Sequence, residues 1–182
     1  MEKALANLKA AGLLAPHTIL DADSEALEAA LRPSGYFRQK AVRVRLFCEH
    51  LLAHYGGDMA RMAMRPLEEL RPELLALHGI GPETADDILL YACGKPVFVV
   101  DTYTKRIFSR HGVVPPNIGY EHLRAHFEDN LAPDVPTWQE YHGLIVFTAK
   151  DFCRTRPNCE GCPLQPTLRR GQPLHVAASA RR

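Results

Sequence analysis

Apolar residues recur every three or four positions along most of this chain, which is the spacing of amphipathic helices. The pattern predicts helices over residues 1–13, 24–31, 37–55 and 58–64. Pro66 opens the next helix at its first turn, and Pro72 within that segment predicts a kink or a break into two short helices. Later helices are predicted over 82–93, 102–110, 120–131 and 136–152. The predicted fold class is therefore all-α.

One apolar run departs from helical spacing. Val97–Val100 favours β structure, but no partner strand is visible in the sequence, so we expect a buried extended connector. Asp101 follows this run directly and is placed to cap a helix that begins at Thr102. The pattern thus puts one carboxylate where an apolar segment ends and a helix starts.

Composition excludes several classes of protein. The 182 residues, 46% of them hydrophobic and 24% charged, suit one globular domain, or one with a smaller lobe. A net charge of +1 gives no electrostatic signature of nucleic-acid binding, so such an interface must rest on local geometry. The apolar runs are too short to span a membrane and the N-terminus lacks a signal-peptide layout, which predicts a cytoplasmic protein without a membrane partner. Five cysteines, three of them crowded near the C-terminus, do not suggest a disulfide framework.

A glycine hairpin joins two predicted helices at Leu77-His78-Gly79-Ile80-Gly81-Pro82-Glu83-Thr84-Ala85. The two glycines allow positive φ and close backbone approach, and Ile80 between them is expected to enter the core. Amides at the start of the second helix then point outward beside the positive end of the helix dipole, where they can bind a DNA phosphate. Taken alone, the string is equally compatible with a plain connector that ends in a glycine C-cap.

The longer pattern is more specific. Leu-x-Gly-Ile-Gly-x-x-Thr-Ala is followed by Val99-Val100-Asp101 and preceded by Ser34-Gly35-Tyr36-Phe37-Arg38-Gln39-Lys40-Ala41. From about Ser34 to Pro163 the sequence resembles the endonuclease III superfamily of helix-hairpin-helix (HhH-GPD) DNA glycosylases. The resemblance implies a two-lobed helical fold, with a partial six-helix barrel over residues 1–113 and a C-terminal lobe over 114–182. It also implies that a helix and a glutamine-containing loop are missing before Glu2, so Met1 is either a misplaced start or the start of a shortened member.

Asp101 has two compatible interpretations. Local pattern alone favours an N-cap, which stabilises a helix by about 1 kcal/mol. The resemblance places the family's catalytic aspartate here, where a carboxylate would stabilise positive charge on the deoxyribose and orient the attacking water. Predicted DNA contacts are His78, Gly79, Ile80, Gly81 and Thr84 of the hairpin, together with Lys105 and Arg106 one turn after Asp101. The last two are equally compatible with a solvated helix face.

Glu83 bears on the type of chemistry. Family members that also cut the DNA strand carry a lysine at this position, which attacks the sugar as an amine. A carboxylate cannot form a Schiff base, so the resemblance implies a monofunctional enzyme of the branch that includes 3-methyladenine and uracil glycosylases. The expected substrate is an alkylated purine, followed by uracil or a mismatched pyrimidine. Glu83 is also a suitable helix-dipole partner in the first turn.

Three cysteines have the spacing Cys153-x5-Cys159-x2-Cys162. This segment resembles the family's iron–sulfur loop, in which four cysteines hold a [4Fe–4S] cluster. Thr167 and Leu168 stand where the fourth cysteine is expected. Three arrangements remain open: a cluster held by three cysteines and another ligand such as His175 or an exogenous group, a Cys3His zinc site, or a metal-free loop held by packing.

Other aromatic and histidine residues are ambiguous. Tyr36 and Phe37 could stack on DNA bases, but core packing is the favoured interpretation. His142, on a predicted helix that leads into the cysteine loop, is expected to be a core or surface residue rather than a ligand.

The function that follows is base excision from damaged double-stranded DNA by a monomeric glycosylase. An alternative is a catalytically weak or inactive module of the same fold that binds abasic or distorted DNA. An unrelated all-α metal-binding interaction protein is the remaining candidate. Asp101 separates the first two, because a module that only binds DNA should tolerate the change to Asn.

Overall fold

The structure, a computed structural model, describes residues 2–168 and 171–176. These residues form ten α-helices and no β-strand, which confirms the all-α fold class. The helices, numbered α1 to α10, are Glu2–Ala10, Pro16–Asp21, Ser24–Leu31, Phe37–Tyr55, Met59–Ala63, Leu67–Leu75, Pro82–Asp87, Thr102–Arg110, Tyr120–Glu128 and Val135–Asp151. A π-helical segment, Ile88–Ala92, continues α7, and short 3-10 turns lie at Arg32–Ser34 and Gln165–Thr167. Within this described part of the chain, no helix combines the length and apolar character needed to cross a membrane.

The chain divides into two compact units, Met1–Cys93 and Gly94–Arg182. The division between these compact units falls before the connector Val97–Val100, and the lobe boundary after residue 113 stays a prediction. The hairpin belongs to the first unit, and Asp101 and the cysteine loop belong to the second.

In the first unit, α4 is the longest helix and packs against α2, α3 and α5. The core at this point contains Leu13, Ile19, Leu27, Leu31, Ala41 and Cys48, with Phe37 and Val44 packed against it. Arg45 on α4 donates hydrogen bonds to the carbonyls of Leu20 and Ala22 at the end of α2. These carbonyls have no partner within their own helix, so the arginine satisfies groups that a helix C-terminus leaves open.

In the second unit, the connector Val97–Val100 is buried, as predicted, and forms neither helix nor strand. A buried amide needs a partner, and the N–H of Phe98 donates to the carboxylate of Glu128 on α9 at 2.9 Å. The Phe98 ring stacks on Phe127 with centroids 4.0 Å apart, and the edge of Trp138 completes the contact. The connector is thus held between α9 and α10, which fixes where Asp101 emerges.

Three local features differ from the predicted pattern. α6 runs across Pro72 as one helix, and Ala76 N–H donates to the Pro72 carbonyl at 3.0 Å. Of the two predicted outcomes, the break into two helices is therefore wrong, and the kink stays a prediction. Pro16–Asp21 forms a helix that the periodicity did not indicate. The helix after the hairpin ends in a π turn, in which Cys93 N–H bonds to the carbonyl of Ile88.

Candidate functional site

The hairpin between α6 and α7 depends on one glycine more than on the other. Gly79 has φ of +84°, a left-handed conformation that disfavours any side chain, whereas Gly81 is extended with φ of −92° and ψ of 177°. Of the two glycines, which both allow positive φ, Gly79 alone adopts it in this turn. Ile80 is buried at 8% exposure, as expected, and its N–H donates to the Leu77 carbonyl at 3.1 Å. The turn is therefore held by this hydrogen bond and by the buried Ile80 side chain.

A buried ion pair braces the two helices of the hairpin. The guanidinium of Arg71 on α6 contacts both carboxylate oxygens of Asp86 on α7, at 2.7 and 3.1 Å. Asp86 is fully buried, and a charged group at such a position is costly unless contacts such as these compensate it. A bidentate geometry restrains direction as well as distance, and it therefore sets how the second helix leaves the turn.

The predicted hairpin contacts differ in accessibility. His78, Gly81 and Thr84 are exposed, Gly79 is half-buried, and the Ile80 side chain is buried. The first helical hydrogen bond of α7 joins Ala85 N–H to the Gly81 carbonyl at 2.9 Å. The amides that precede Ala85 thus begin the helix at its positive end. Glu83 lies in this first turn, which suits a carboxylate beside the helix dipole.

Asp101 caps α8, as predicted. Its Oδ1 accepts hydrogen bonds from the backbone N–H of Thr104 at 2.7 Å and from the Thr104 hydroxyl at 2.8 Å. Thr104 is fully buried, so the anchor of this carboxylate lies inside the unit. One oxygen is therefore fixed to the helix, and the other remains for a different contact.

The electrostatic environment keeps Asp101 ionised. Burial by itself raises the pKa of the Asp101 carboxyl, but contacts with His142, the Thr104 amide and the Thr104 hydroxyl outweigh it, and the pKa lies below its ordinary value. A carboxylate in this state can stabilise positive charge or orient water, but it cannot serve as a proton donor near neutral pH.

His142 is a candidate site residue that the sequence did not identify. Its Nε2 lies 3.7 Å from Oδ2 of Asp101, and the side chain is 11% exposed. A signal exists in hindsight, because Trp138, His142, Ile145 and Ala149 follow the buried face of α10. That spacing indicates burial, but it cannot reveal which residue of another helix the imidazole meets.

The two basic residues after Asp101 are half-buried. Arg106 places its guanidinium carbon 5.0 Å from the centroid of the Tyr103 ring, and among the described residues its Nε has no hydrogen-bond partner. Lys105 N–H continues the helix by bonding to the Asp101 carbonyl. Their role in phosphate contact stays a prediction.

Tyr36 corrects the expectation of core packing. Its side chain is 84% exposed, and its backbone is left-handed with φ of 47°. A non-glycine residue in this region is uncommon and carries a modest strain. Phe37 behaves as expected and packs against the core, with the guanidinium groups of Arg32 and Arg38 over its ring.

The three C-terminal cysteines line one small cavity of about 20 Å³, together with His111. Burial raises the pKa of the Cys159 thiol, and the nearby Cys162 and Cys153 raise it further. Arg110, itself buried, donates to Sγ of Cys153 at 3.3 Å and to the carbonyls of Arg154 and Thr155 at 2.6 and 2.9 Å. An arginine thus ties this loop to the end of α8.

These residues do not fit a four-cysteine cluster. A [4Fe–4S] cluster takes four thiolates, whereas Thr167 and the buried Leu168 occupy the fourth position. His175 is exposed and is not part of the cavity lining, although the sequence suggested it as a further ligand. Across residues 2–168 and 171–176, no three His, Cys, Asp or Glu side chains are disposed to hold a metal ion.

The chain is similar in sequence and in fold to known DNA repair proteins. The protein MJ1434 of Methanocaldococcus jannaschii, which bears the name of a DNA repair glycosylase, is 42% identical over 91% of this chain and 76% of its own length. An endonuclease III–DNA complex superposes with a TM-score of 0.69 at 27% identity, over 87% of this chain and 70% of that one. A Helicobacter pylori 3-methyladenine DNA glycosylase, MagIII, bound to 1,N6-ethenoadenine, superposes with a TM-score of 0.68 at 28% identity, over 81% and 75%.

A family model confirms the resemblance that the hairpin and Val99-Val100-Asp101 indicated. It is described as the HhH-GPD superfamily base excision DNA repair protein and matches residues 1–133. The matched range contains both the hairpin and Asp101. This chain belongs to the HhH-GPD superfamily of base excision DNA repair proteins.

Proposed function

We propose that this protein hydrolyses the N-glycosidic bond of a damaged base in double-stranded DNA, with Asp101 as the catalytic carboxylate. The proposal rests on the fixed position and the negative charge of the Asp101 carboxylate in a chain of this family. Asp101 is ionised, anchored through one oxygen to Thr104, and held at the end of a buried connector. A fixed negative charge of this kind is what a cationic transition state requires.

The reaction would proceed by charge stabilisation and hydrolysis. As the bond between C1′ and the base nitrogen breaks, its electron pair leaves with the base and positive charge develops on the deoxyribose. Asp101 stabilises that charge and orients a water molecule, whose oxygen forms the new bond to C1′. The water proton passes to the carboxylate or to solvent, and the products are a free base and an abasic site. The target nucleotide must leave the base stack for its sugar to reach the carboxylate.

Glu83 supports a monofunctional reaction. It stands at the hairpin position where strand-cutting relatives carry a lysine, and it is exposed in the first turn of α7. Because a carboxylate cannot form an imine with the opened sugar, we expect no strand cleavage through a Schiff base.

DNA contact is proposed at the hairpin and around Asp101. The exposed first turn of α7 suits a phosphate, since backbone amides and the helix dipole favour an anion there. Lys105 and Arg106 would add cationic contacts near the carboxylate. Tyr36, which is exposed rather than in the core, is suited to stack on a base.

An alkylated purine is the proposed substrate, with uracil or a mismatched pyrimidine next. An alkylated purine that carries a positive charge departs as a neutral base, so it needs no proton donor, and the ionised Asp101 does not provide one. The similarity to the H. pylori enzyme named for 3-methyladenine supports this order.

For the cysteine loop we propose the metal-free arrangement. Arg110 already engages the Cys153 sulfur and two loop carbonyls, and the cavity among the thiols has about the volume of one water molecule. Iron and zinc analysis of protein purified without chelators decides among the three arrangements. Less than a tenth of an equivalent of either metal supports this one, and about one equivalent of zinc or four of iron contradicts it.

The deciding experiment exposes labelled duplexes to excess protein, each containing an alkylated purine, uracil, mismatched thymine or an abasic site, and develops them with and without hot alkali. We expect alkali-dependent cleavage of one lesion that is lost in Asp101→Asn. Asparagine also caps helices well, so this change removes the charge and keeps the cap. Asp134→Asn is the matched control, because Asp134 caps α10 by accepting from Thr137 N–H and is not proposed to act in the reaction.

The other outcomes are equally informative. Cleavage without alkali would contradict the argument from Glu83. Cleavage that survives Asp101→Asn would remove Asp101 from the mechanism. Retention of an abasic duplex without cleavage of any lesion, equal in both proteins, would favour the alternative of a DNA-binding module.

A further inference from the structure

The buried face of α10 contains one polar ring among apolar side chains. Trp138, Ile145 and Ala149 on this face are 2%, 5% and 0% exposed, and His142 among them is 8% exposed. An imidazole without hydration needs a polar group close by. The position of His142 is therefore informative, since an apolar side chain would fill the same space without that requirement.

His142 meets the Asp101 carboxylate on the side opposite the Thr104 contacts. Oδ1 of Asp101 receives both hydrogen bonds from Thr104, whereas Oδ2 lies 3.7 Å from Nε2 of His142. That separation is longer than a direct hydrogen bond, so the contact is electrostatic. The two side chains are 10% and 11% exposed, and solvent screens a contact between such buried groups only weakly.

We propose that His142 is a positioning residue for Asp101 in the hydrolysis proposed above, on which this inference rests. Thr104 holds one oxygen and leaves the carboxylate free to turn about that contact. The imidazole N–H on the opposite side favours one orientation of Oδ2, the oxygen that remains for the sugar or the water. Both the Nε2–H tautomer and the imidazolium present a donor there. α10 would thus hold in place a reactive group that α8 supplies.

Two substitutions separate positioning from packing. His142→Leu fills the space without a polar atom, and His142→Gln places an amide N–H near the position of Nε2. Under enzyme excess, we expect His142→Leu to lower the single-turnover rate by about 10- to 100-fold, the scale of loss when a reacting group is misplaced. The dissociation constant for the same duplex should change less than about twofold, and His142→Gln should restore most of the rate. Tyr141→Phe, which keeps the ring that contacts Phe98, is the control on α10 and should match the wild type.

A second measurement does not depend on activity. The pKa of the Asp101 carboxyl, followed by NMR in protein with 13C-labelled aspartate, should rise in His142→Leu and remain low in His142→Gln. If His142→Leu does not fold, His142→Phe keeps a planar ring without nitrogen and serves instead. An unchanged rate together with an unchanged Asp101 pKa in the apolar variant would overturn the proposal. If the wild type cleaves no lesion, the proposed function fails, and the NMR comparison still decides whether His142 acts on Asp101.

Discussion

At the scale of single residues, the two hairpin glycines make different demands on the chain. A Cβ at Gly79 would lie 2.7 Å from Cγ of Arg43, and φ there is +84°, whereas a Cβ at Gly81 would have no neighbour within 4 Å. We expect Gly79→Ala to lower the free energy of unfolding by about 1–2 kcal/mol, because a side chain in left-handed backbone is strained and Arg43 must move. Gly81→Ala should change it by less than about 0.5 kcal/mol.

Urea unfolding of the two variants tests this difference, and Arg43→Ala combined with Gly79→Ala separates its causes. Removing the arginine side chain should recover only the steric part, because the backbone strain remains. Equal losses from the two glycine variants would show that the hairpin does not depend on positive φ at Gly79.

The lowered pKa of Asp101 predicts a particular pH dependence. A carboxyl whose pKa is lower in the folded protein stabilises the fold at pH above its ordinary value of 3.8, and this stabilisation is lost as the pH falls through the lowered pKa. We therefore expect the wild type to lose more unfolding free energy than Asp101→Asn between about pH 5 and pH 2.

The lowered pKa of Asp101 also predicts how the rate of base excision depends on pH. Because Asp101 stays ionised above its ordinary pKa, the single-turnover rate should show no Asp101-dependent fall between about pH 8 and pH 5. Single-turnover rates over that range check this, with an undamaged duplex as the background. A protonation midpoint near neutral pH that shifts with His142→Gln would contradict an ionised carboxylate.

How much of the site could be predicted depends on the sequence distance between its parts. The cap at Asp101 follows from neighbouring residues, and the structure confirms it through Thr104. His142 lies on another helix, so periodicity indicates its burial but not its contact with Asp101. Tyr36 was misjudged because an aromatic residue usually packs inside, whereas the left-handed backbone here turns it outward.

At the scale of elements, the hairpin depends on the pairing of its two helices. The Arg71–Asp86 pair joins α6 and α7 with Asp86 fully buried, whereas the Arg65–Glu69 contact involves side chains that are 48% and 52% exposed. We expect Arg71→Ala to lower the free energy of unfolding by about 3–5 kcal/mol, because it removes a bidentate cationic contact from a fully buried carboxylate. Arg65→Ala, the matched control next to the same helix, should cost at most about 0.5 kcal/mol.

Chemical denaturation of both variants measures these costs. Equal losses of unfolding free energy in the two variants would contradict the prediction. They would show that contacts other than Arg71 compensate the Asp86 carboxylate. DNA affinity of Arg71→Ala at a temperature where it remains folded then reports whether this brace matters for the binding surface as well as for stability.

The mispredicted elements have a common physical cause: burial in the core outweighs the local conformational preference of the sequence. Pro72 removes one helical amide, yet Leu70 and Leu74 on either side of it are fully buried and hold α6 in one piece. α2 spans only Pro16–Asp21, too short for periodicity to show, and is stabilised by Ile19 in the core. The π turn at Ile88–Ala92 lies beyond what a 3.6-residue pattern can distinguish from an α-helix.

At the scale of the whole molecule, charge limits how the protein can hold DNA. The chain has 22 basic and 21 acidic residues, and several of its arginines are engaged internally. Arg71 pairs with Asp86, Arg124 pairs with Glu121 and Glu128, and Arg110 is enclosed by the cysteine loop. Of the DNA contacts proposed above, only Lys105 and Arg106 carry a fixed positive charge. Backbone amides of the hairpin must then contribute much of the proposed contact, and they displace fewer counterions than basic side chains do.

This balance predicts a weak salt dependence of DNA binding. Each phosphate neutralised by a cation contributes a slope of about −0.9 to a plot of log affinity against log salt. With Lys105 and Arg106 as the main cationic contacts, we expect a total slope of about −2 to −3 for an undamaged duplex measured by fluorescence anisotropy. Lys105→Ala and Arg106→Ala should each make the slope shallower by about 1, and Arg124→Ala, whose charge is paired, should leave it unchanged. A slope steeper than about −6, or one insensitive to both changes, would place the cationic contacts elsewhere and would contradict a hairpin that binds through its amides.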